Sequence, residues 1–313
     1  MKTQLIRAAK ILVSAGLVWV IFRYFWHIQH PEKILAVFLN LSPWVWISAL
    51  FACMLNWYLE SVKWRWLVAG LQPLSAKDAF RSTLAGAAVS NILPFRVGEY
   101  LGRIMYLHPD NRIPAAFNSV FGSMMQMSVT ILFGVPAALT VLNATYLASV
   151  YKALLILAIV IILFTLLFLL LRRKNKLNWP WLRRLQEDVK QFSLGLILRV
   201  FLISVLRYWV FALFYVWLLS VCGALQMSKP CIFCTDYSGG IHGVQVIYLL
   251  QSFTPGMAIT DAGLRTTLPL LVFRQPDIQA QVVAAAVINY ASNLILPSLM
   301  GLVFILFKKA KEV

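Results

Sequence analysis

The sequence has 313 residues, of which 61% are hydrophobic and only 12% are charged, and its mean hydropathy is +0.78. Soluble domains are about half apolar, so this composition excludes that class and indicates an integral membrane protein. The formal net charge is +17, but the basic residues are scattered between apolar stretches. This pattern argues against a nucleic-acid partner and indicates membrane topology with attraction to anionic lipid.

Membrane-spanning helices need about 20 consecutive, mainly apolar residues. The first such segment follows a basic start, and no small-residue cleavage site comes after it, so we expect an uncleaved anchor. The sequence thus predicts an all-α polytopic membrane protein with about six transmembrane helices. The predicted spans are 8–26, 43–62, 114–142, 150–171, 197–224 and 279–307.

The lysines and arginines predict the orientation, because loops on the cytoplasmic side carry the excess of them. With both termini in the cytoplasm, 21 of the 28 basic residues lie on that side, including Lys63 and the basic loop 172–196. We therefore expect a multi-pass protein of the cell inner (plasma) membrane with both termini cytoplasmic.

Two further apolar segments, 76–106 and 236–275, are interrupted by proline, glycine and charged residues. The topology requires the first to enter and leave from the cytoplasm and the second from outside, so each is predicted to be a re-entrant helical hairpin. The chain then forms two units of opposite orientation, 1–142 and 150–313, joined by an outer loop at 143–149. In such inverted-topology repeats, discontinuous helices meet near the midplane and contact the substrate.

The first hairpin contains the most distinctive motif, in which Arg96, Glu99 and Arg103 follow Pro94. Spacings of three and four residues place the three charges on one helical face. Charges at membrane depth must face protein or a water-filled cavity, and they commonly handle a polar substrate. Because arginine binds phosphate in a bidentate fork, the motif predicts an anionic lipid headgroup as ligand. The alternatives are a structural ion-pair network or arginines that reach the cytoplasmic interface.

The second hairpin repeats this order of a proline, an acid and then an arginine four residues later. Pro255 and Gly256 are expected to form its tip, and Asp261 and Arg265 are expected to pair. Both Glu99 and Asp261 are candidates for proton coupling.

Other polar residues give weaker signals. Arg207 either completes the cavity or lies at an inner interface. Asn289 and Asn293 share a face and are expected to join helices through hydrogen bonds. Cys231 and Cys234 have metal-site spacing, but no second pair completes a zinc site. An aromatic belt at the membrane interface is predicted for Trp44, Trp46, Trp57, Trp64 and Trp66.

The stretch Asn91-Ile-Leu-Pro-Phe-Arg-Val-Gly-Glu resembles the Asn-x-x-Pro-x-Arg-x-Gly-Glu signature of a flippase-like membrane family related to the transmembrane region of lysylphosphatidylglycerol synthase/flippase proteins. Thr254-Pro-Gly is similar to a second family motif, in which this chain keeps an acid as Asp261 but lacks the later glycines. The resemblance implies translocation of a lipid or lipid-linked headgroup. We expect no synthase activity, because the sequence shows no soluble aminoacyl-transferring domain.

Together these features predict a flippase for an anionic phospholipid, glycolipid or polyprenyl-phosphate-linked lipid. No cofactor is predicted, and without an ATP-binding motif the energy must come from a gradient, or the exchange is downhill. The expected partners are the lipid and the bilayer, and a homo-oligomer stays open. The alternative is an integral-membrane enzyme that modifies a lipid carrier, with Glu99 or Asp261 as general base. The predicted substrate-binding residues are Asn91, Pro94, Arg96, Glu99, Arg103, Arg207, Pro255, Gly256, Asp261 and Arg265.

Overall fold

The computed structural model describes residues 31–90, 97–141, 192–225, 240–252, 258–273 and 275–307. Within these ranges the chain is helical, and they contain no β-strand. The predicted spans 8–26 and 150–171 and the outer loop 143–149 lie outside the described residues, as do Cys231 and Cys234.

Ten α-helices are described, together with 3₁₀ turns at Pro109–Asn111 and Pro276–Ile278 and a π-helical turn at Ala291–Ile295. The helices are α1 (Pro31–Leu39), α2 (Pro43–Val68), α3 (Ala76–Ser90), α4 (Val97–Ile104), α5 (Arg112–Val141), α6 (Leu194–Val221), α7 (Ile241–Ser252), α8 (Ala258–Val272), α9 (Gln279–Tyr290) and α10 (Leu296–Phe307).

Local capping explains where several of these helices begin. Pro43 occupies the first turn of α2, where its missing N–H removes no intrahelical hydrogen bond. Ser193 precedes α6, and its hydroxyl accepts a hydrogen bond from the Leu196 N–H at 3.1 Å. Ser75 caps α3 in the same way by accepting from the Asp78 N–H at 3.1 Å.

Four helical stretches are long and apolar enough to cross a membrane, namely Pro43–Val68, Pro109–Thr140, Leu194–Val221 and Pro276–Phe307. They correspond to four of the six predicted spans. The predicted end of the second span at residue 62 was too early, because α2 continues to Val68. Lys63 was assigned to a cytoplasmic loop, but it is a buried, ion-paired residue inside this helix.

Helices α3 and α4 pack closely against each other, with Gly98 beside Val89 and Gly102 beside Ala85, so they run antiparallel. A Cβ at either glycine would overlap the backbone carbonyl opposite. Helices α7 and α8 also pack together. The chain therefore turns back on itself within both segments that were predicted as hairpins.

Each of these helix pairs packs against a long helix that is distant in sequence. Helix α3 contacts α10, where a Cβ added at Gly301 would overlap the carbonyl of Leu84. Helix α7 contacts α5, where a Cβ added at Gly134 would lie 2.8 Å from the Leu249 Cβ. Close helix approach at small residues is typical of membrane bundles.

The predicted aromatic belt needs a correction. Trp44 and Trp46 are exposed, as a belt requires, but Trp57 and Trp64 are buried. Trp64 belongs to an apolar cluster at one end of the molecule, and its indole N–H donates to the Ser82 hydroxyl at 2.8 Å. The ring lies beneath the guanidinium of the buried Arg103, which explains why Trp64 faces inward.

Candidate functional site: a buried charge cluster

Glu60 on α2 is the centre of a cluster of charged side chains. It is only 2% exposed, and its carboxylate meets three cations. Lys63 Nζ and Arg207 Nη1 each lie 2.6 Å from Oε2, while Arg103 Nη2 lies 2.8 Å from Oε1. A carboxylate inside a helix of membrane-spanning length is costly unless it is paired, and these contacts supply the pairing.

Arg103 connects Glu60 to the predicted motif. It is fully buried on α4, and its guanidinium also pairs with Glu99 one turn earlier on the same helix. This contact confirms the pair that the spacing of four residues predicts. Arg103 donates a further hydrogen bond to the Ser119 hydroxyl at 3.3 Å, and its guanidinium carbon lies 5.5 Å from the centroid of Trp64. The arginine is therefore held on several sides by α2, α4 and α5.

Arg207 reaches the same carboxylate from α6. Its Nε donates to the Asn56 Oδ1 at 2.7 Å, and its guanidinium lies over the rings of Trp57 and Phe211 at 5.7 and 5.4 Å. Of the two alternatives that the sequence left open, the structure favours a place in the interior cluster. The side chain remains 13% exposed, so it is one of the cluster's more accessible members.

Lys63 ties the cluster to α5. Its side chain is 1% exposed, and Nζ donates to the backbone carbonyl of Gly122 at 3.4 Å in addition to its contact with Glu60. A Cβ at Gly122 would lie 2.8 Å from the Leu67 side chain and 3.7 Å from the Lys63 Cε. The absence of a side chain at this glycine lets α5 approach the lysine.

The described cluster is positive overall, because three cations are set against two carboxylates. Glu99 is the most accessible carboxylate, with 18% of its side chain exposed. Two buried donors, Arg103 Nε and Asn56 Nδ2, have no acceptor within the described part of the chain. Buried donors are normally satisfied by protein, water or ligand.

The second hairpin presents a different environment. Arg265 on α8 is half-buried and donates to the Gln251 Oε1 on α7 at 3.4 Å. Asp261 lies in α8, but its side chain is not among those described, so its pairing with Arg265 stays a prediction. The remaining predicted site residues lie outside the described residues; they are Asn91, Pro94, Arg96, Pro255 and Gly256.

Sequence reasoning missed Asn56, Glu60 and Lys63 as members of the cluster. The signal was present, since spacings of four and three residues put them on one face of an apolar helix. Asn293 Nδ2 donates to Asn289 Oδ1 at 2.7 Å, but both lie in one continuous helical stretch, so this contact does not join two helices as predicted. The backbone carbonyl of Asn293, in the π-helical turn, accepts from the Trp57 indole at 3.2 Å and thereby contacts α2.

The fold and the cluster define a multi-pass helical membrane protein that buries a net-positive group of charges between its helices. Across the described ranges, no group of three or more His, Cys, Asp or Glu side chains is arranged to hold a metal ion. The chain belongs to the family of the lysylphosphatidylglycerol synthase TM region, which matches residues 7–301. No curated protein and no solved structure matches it. This match confirms the family that the sequence resembles and indicates a membrane protein of lipid-related function.

Proposed function

We propose that the protein is a flippase that moves a lipid with an anionic headgroup between leaflets. The observation that carries this proposal is the net-positive cluster around Glu60, held inside apolar helices where charges are expensive. Family membership supports a lipid as the substrate class. Arginine suits the task because its guanidinium stays charged and matches phosphate oxygens in a planar fork.

The proposed architecture has six spans and two re-entrant hairpins in an inverted repeat. The reciprocal packing supports it, since α3 of the first hairpin lies against α10 and α7 of the second lies against α5. Such an arrangement places interrupted helices at the centre of the membrane, where transporters bind polar groups. The acyl tails would stay in the bilayer while the headgroup crosses between the hairpins.

An arriving phosphate would compete with the two carboxylates for the arginines. Glu99 and Arg207 are the accessible members, so they would meet it first. Transfer of a guanidinium from Glu60 or Glu99 to phosphate exchanges one charge-assisted contact for another, so the cost is small. Because Glu60 joins α2, α4 and α6, loosening its contacts would free these helices to move. Arg96 and Arg265 would contribute further cationic contacts.

Leaflet exchange of tail-labelled phosphatidylglycerol and a polyprenyl phosphate in proteoliposomes tests this proposal, with and without a pH gradient. We expect exchange by the wild type and by Asp78→Asn, a control that changes an exposed carboxylate. Glu99→Gln and Arg207→Gln should slow exchange about tenfold or more, because each removes a charged contact to the headgroup or its arginines.

Folding of each variant is checked by size exclusion and circular dichroism before the rates are compared. Unchanged exchange by both folded cluster variants would contradict the proposal, as would a folded wild type that exchanges neither lipid. Formation of a modified lipid in detergent, where no leaflets exist, would support the membrane-enzyme alternative instead.

A further inference from the structure

A separate cavity of about 410 Å³ lies where α1, the end of α6 and the start of α9 meet. It is far from the charge cluster. Cys222, directly after the end of α6, borders the cavity, whereas Arg207 in the middle of α6 belongs to the cluster. At the rise of an α-helix the two residues are about 22 Å apart. On α2, Glu60 lies about 25 Å from Pro43, the first residue of the helix, and Leu41, two residues before Pro43, lines the cavity. The cavity therefore lies at the opposite end of the helices.

Two opposite charges line this cavity. Lys33 comes from α1, and Asp277 comes from the 3₁₀ turn that precedes α9. Both are exposed, and in the described part of the chain no ion pair joins them. Opposite charges that border one cavity without touching suit a guest that carries both signs, because each charge then finds its own partner.

A buried acceptor gives a second and independent indication. Gln281 also lines the cavity, and its Oε1 is buried without a donor among the described residues. Such an acceptor is normally satisfied by a donor, and a donor group on a ligand would supply one once the Gln281 side chain turns its oxygen toward the cavity. Gly223, at a φ of +81°, turns the chain after α6, and a Cβ there would lie 3.8 Å from the Gln281 Cγ.

The rest of the cavity wall is mainly apolar and suits a short aliphatic stretch. Val37 and Leu41 contribute from the α1 side and Val221 from the end of α6. The volume falls within the range of about 300–1,000 Å³ that small-molecule sites occupy. It accommodates a small headgroup, while acyl chains would remain outside.

We propose that this cavity binds a zwitterionic group of the phosphoethanolamine type. The phosphate contacts Lys33, and the ammonium group contacts Asp277 and, after rotation of the Gln281 side chain, its Oε1. In a flippase for anionic lipids it would hold a second, zwitterionic lipid at the other membrane face, and in that role it rests on the proposed function. Binding itself is measurable without translocation, so the two proposals fail separately.

Calorimetric titration of the full-length protein in detergent tests the assignment. The probes are dihexanoyl phosphatidylethanolamine, dihexanoyl phosphatidylglycerol and free phosphoethanolamine. We expect the wild type to bind the ethanolamine lipid at the cavity and the glycerol lipid at the Glu60 cluster. Asp277→Asn and Lys33→Gln should each weaken the ethanolamine lipid about tenfold or more and leave the glycerol lipid unchanged. Lys77→Gln, which alters an exposed lysine on α3, should change neither.

Binding of free phosphoethanolamine as tightly as the lipid would support the site and assign it to a soluble zwitterion. Unchanged binding of the ethanolamine lipid in both folded cavity variants would overturn it. Asp277→Lys gives a second readout, because two positive charges at the cavity should weaken the ethanolamine lipid and strengthen the glycerol lipid. If the wild type binds through Lys33 and Asp277 but exchanges no lipid, the proposed function fails and this site stands.

Discussion

The first hairpin, α3 and α4, and the second, α7 and α8, are attached to the rest of the protein in similar ways but differ in chemistry. Each packs against a long helix from the other part of the chain. Helix α4 brings a fully buried Arg103 to two carboxylates, whereas α8 brings a half-buried Arg265 to the neutral amide of Gln251. Similar backbone arrangements therefore hold one arginine fully inside the protein among charged partners and leave the other partly accessible.

The surroundings of the two hairpins also differ. Aromatic rings pack at the second hairpin, where the ring centroid of Tyr248 on α7 lies 6.2 Å from that of Tyr208 and 6.0 Å from that of Tyr215. The Tyr248 hydroxyl donates to the backbone carbonyl of Phe211 at 3.1 Å. Aromatic packing is less dependent on any single contact than an ion cluster is. We therefore expect substitutions at the first hairpin to have larger effects.

The largest effect is expected for Glu60→Gln. The substitution keeps the side-chain shape but leaves three cations near one another with only Glu99 to balance them. Removing one partner of a buried ion pair costs about 3–5 kcal/mol of unfolding free energy. Denaturant unfolding in detergent micelles, followed by circular dichroism, measures the change. Asp78→Asn is the matched control and should stay within about 0.5 kcal/mol of the wild type. An equally small effect of Glu60→Gln would show that the cluster does not stabilise the fold.

A smaller difference is expected between two glycine substitutions. In Gly102→Ala the new methyl group overlaps the Ala85 carbonyl, and backbone cannot move without separating α3 from α4. In Gly243→Ala the nearest atom is the far end of the Phe273 ring at 2.7 Å, and this side chain can shift without moving the backbone of either helix. We expect Gly102→Ala to cost about 1–3 kcal/mol and Gly243→Ala to cost less, in the same unfolding assay.

Gly195→Ala is the control for this pair, because its nearest neighbour is the Ser193 hydroxyl at 3.9 Å. It should be neutral or slightly stabilising, since alanine restricts the unfolded chain and favours helix. Equal costs at Gly102 and Gly243 would mean that both hairpins are held equally tightly, contrary to the comparison.

Local patterns predicted much of this arrangement. Four membrane-length helices follow from runs of apolar residues, and the Glu99–Arg103 contact follows from a spacing of four on one helix. Both depend only on residues that are close in sequence. The resemblance to the family likewise rested on short stretches of sequence, and the match over residues 7–301 confirms the family.

The centre of the cluster was missed because its partners are distant in sequence. Glu60 meets Arg103 across 43 residues and Arg207 across 147. Single-sequence reasoning treats a lysine near the end of an apolar run as facing water, and it therefore ended the second span before Lys63. Burial of that lysine depends on Glu60 and on the carbonyl of Gly122, which only tertiary packing brings together.

The smallest change in stability is expected for Arg265→Gln. The arginine is half-buried, and its contacts include a long hydrogen bond of 3.4 Å to the Gln251 Oε1. Contacts of a partly exposed arginine are weakened by solvent, and glutamine keeps a donor, so we expect a loss below about 1 kcal/mol. Lipid exchange by the same variant sharpens the comparison, because a slower rate with unchanged stability would mark Arg265 as a substrate contact. A loss of stability as large as that of Glu60→Gln would instead show that the second hairpin depends on its arginine as strongly as the first depends on the Glu60 cluster.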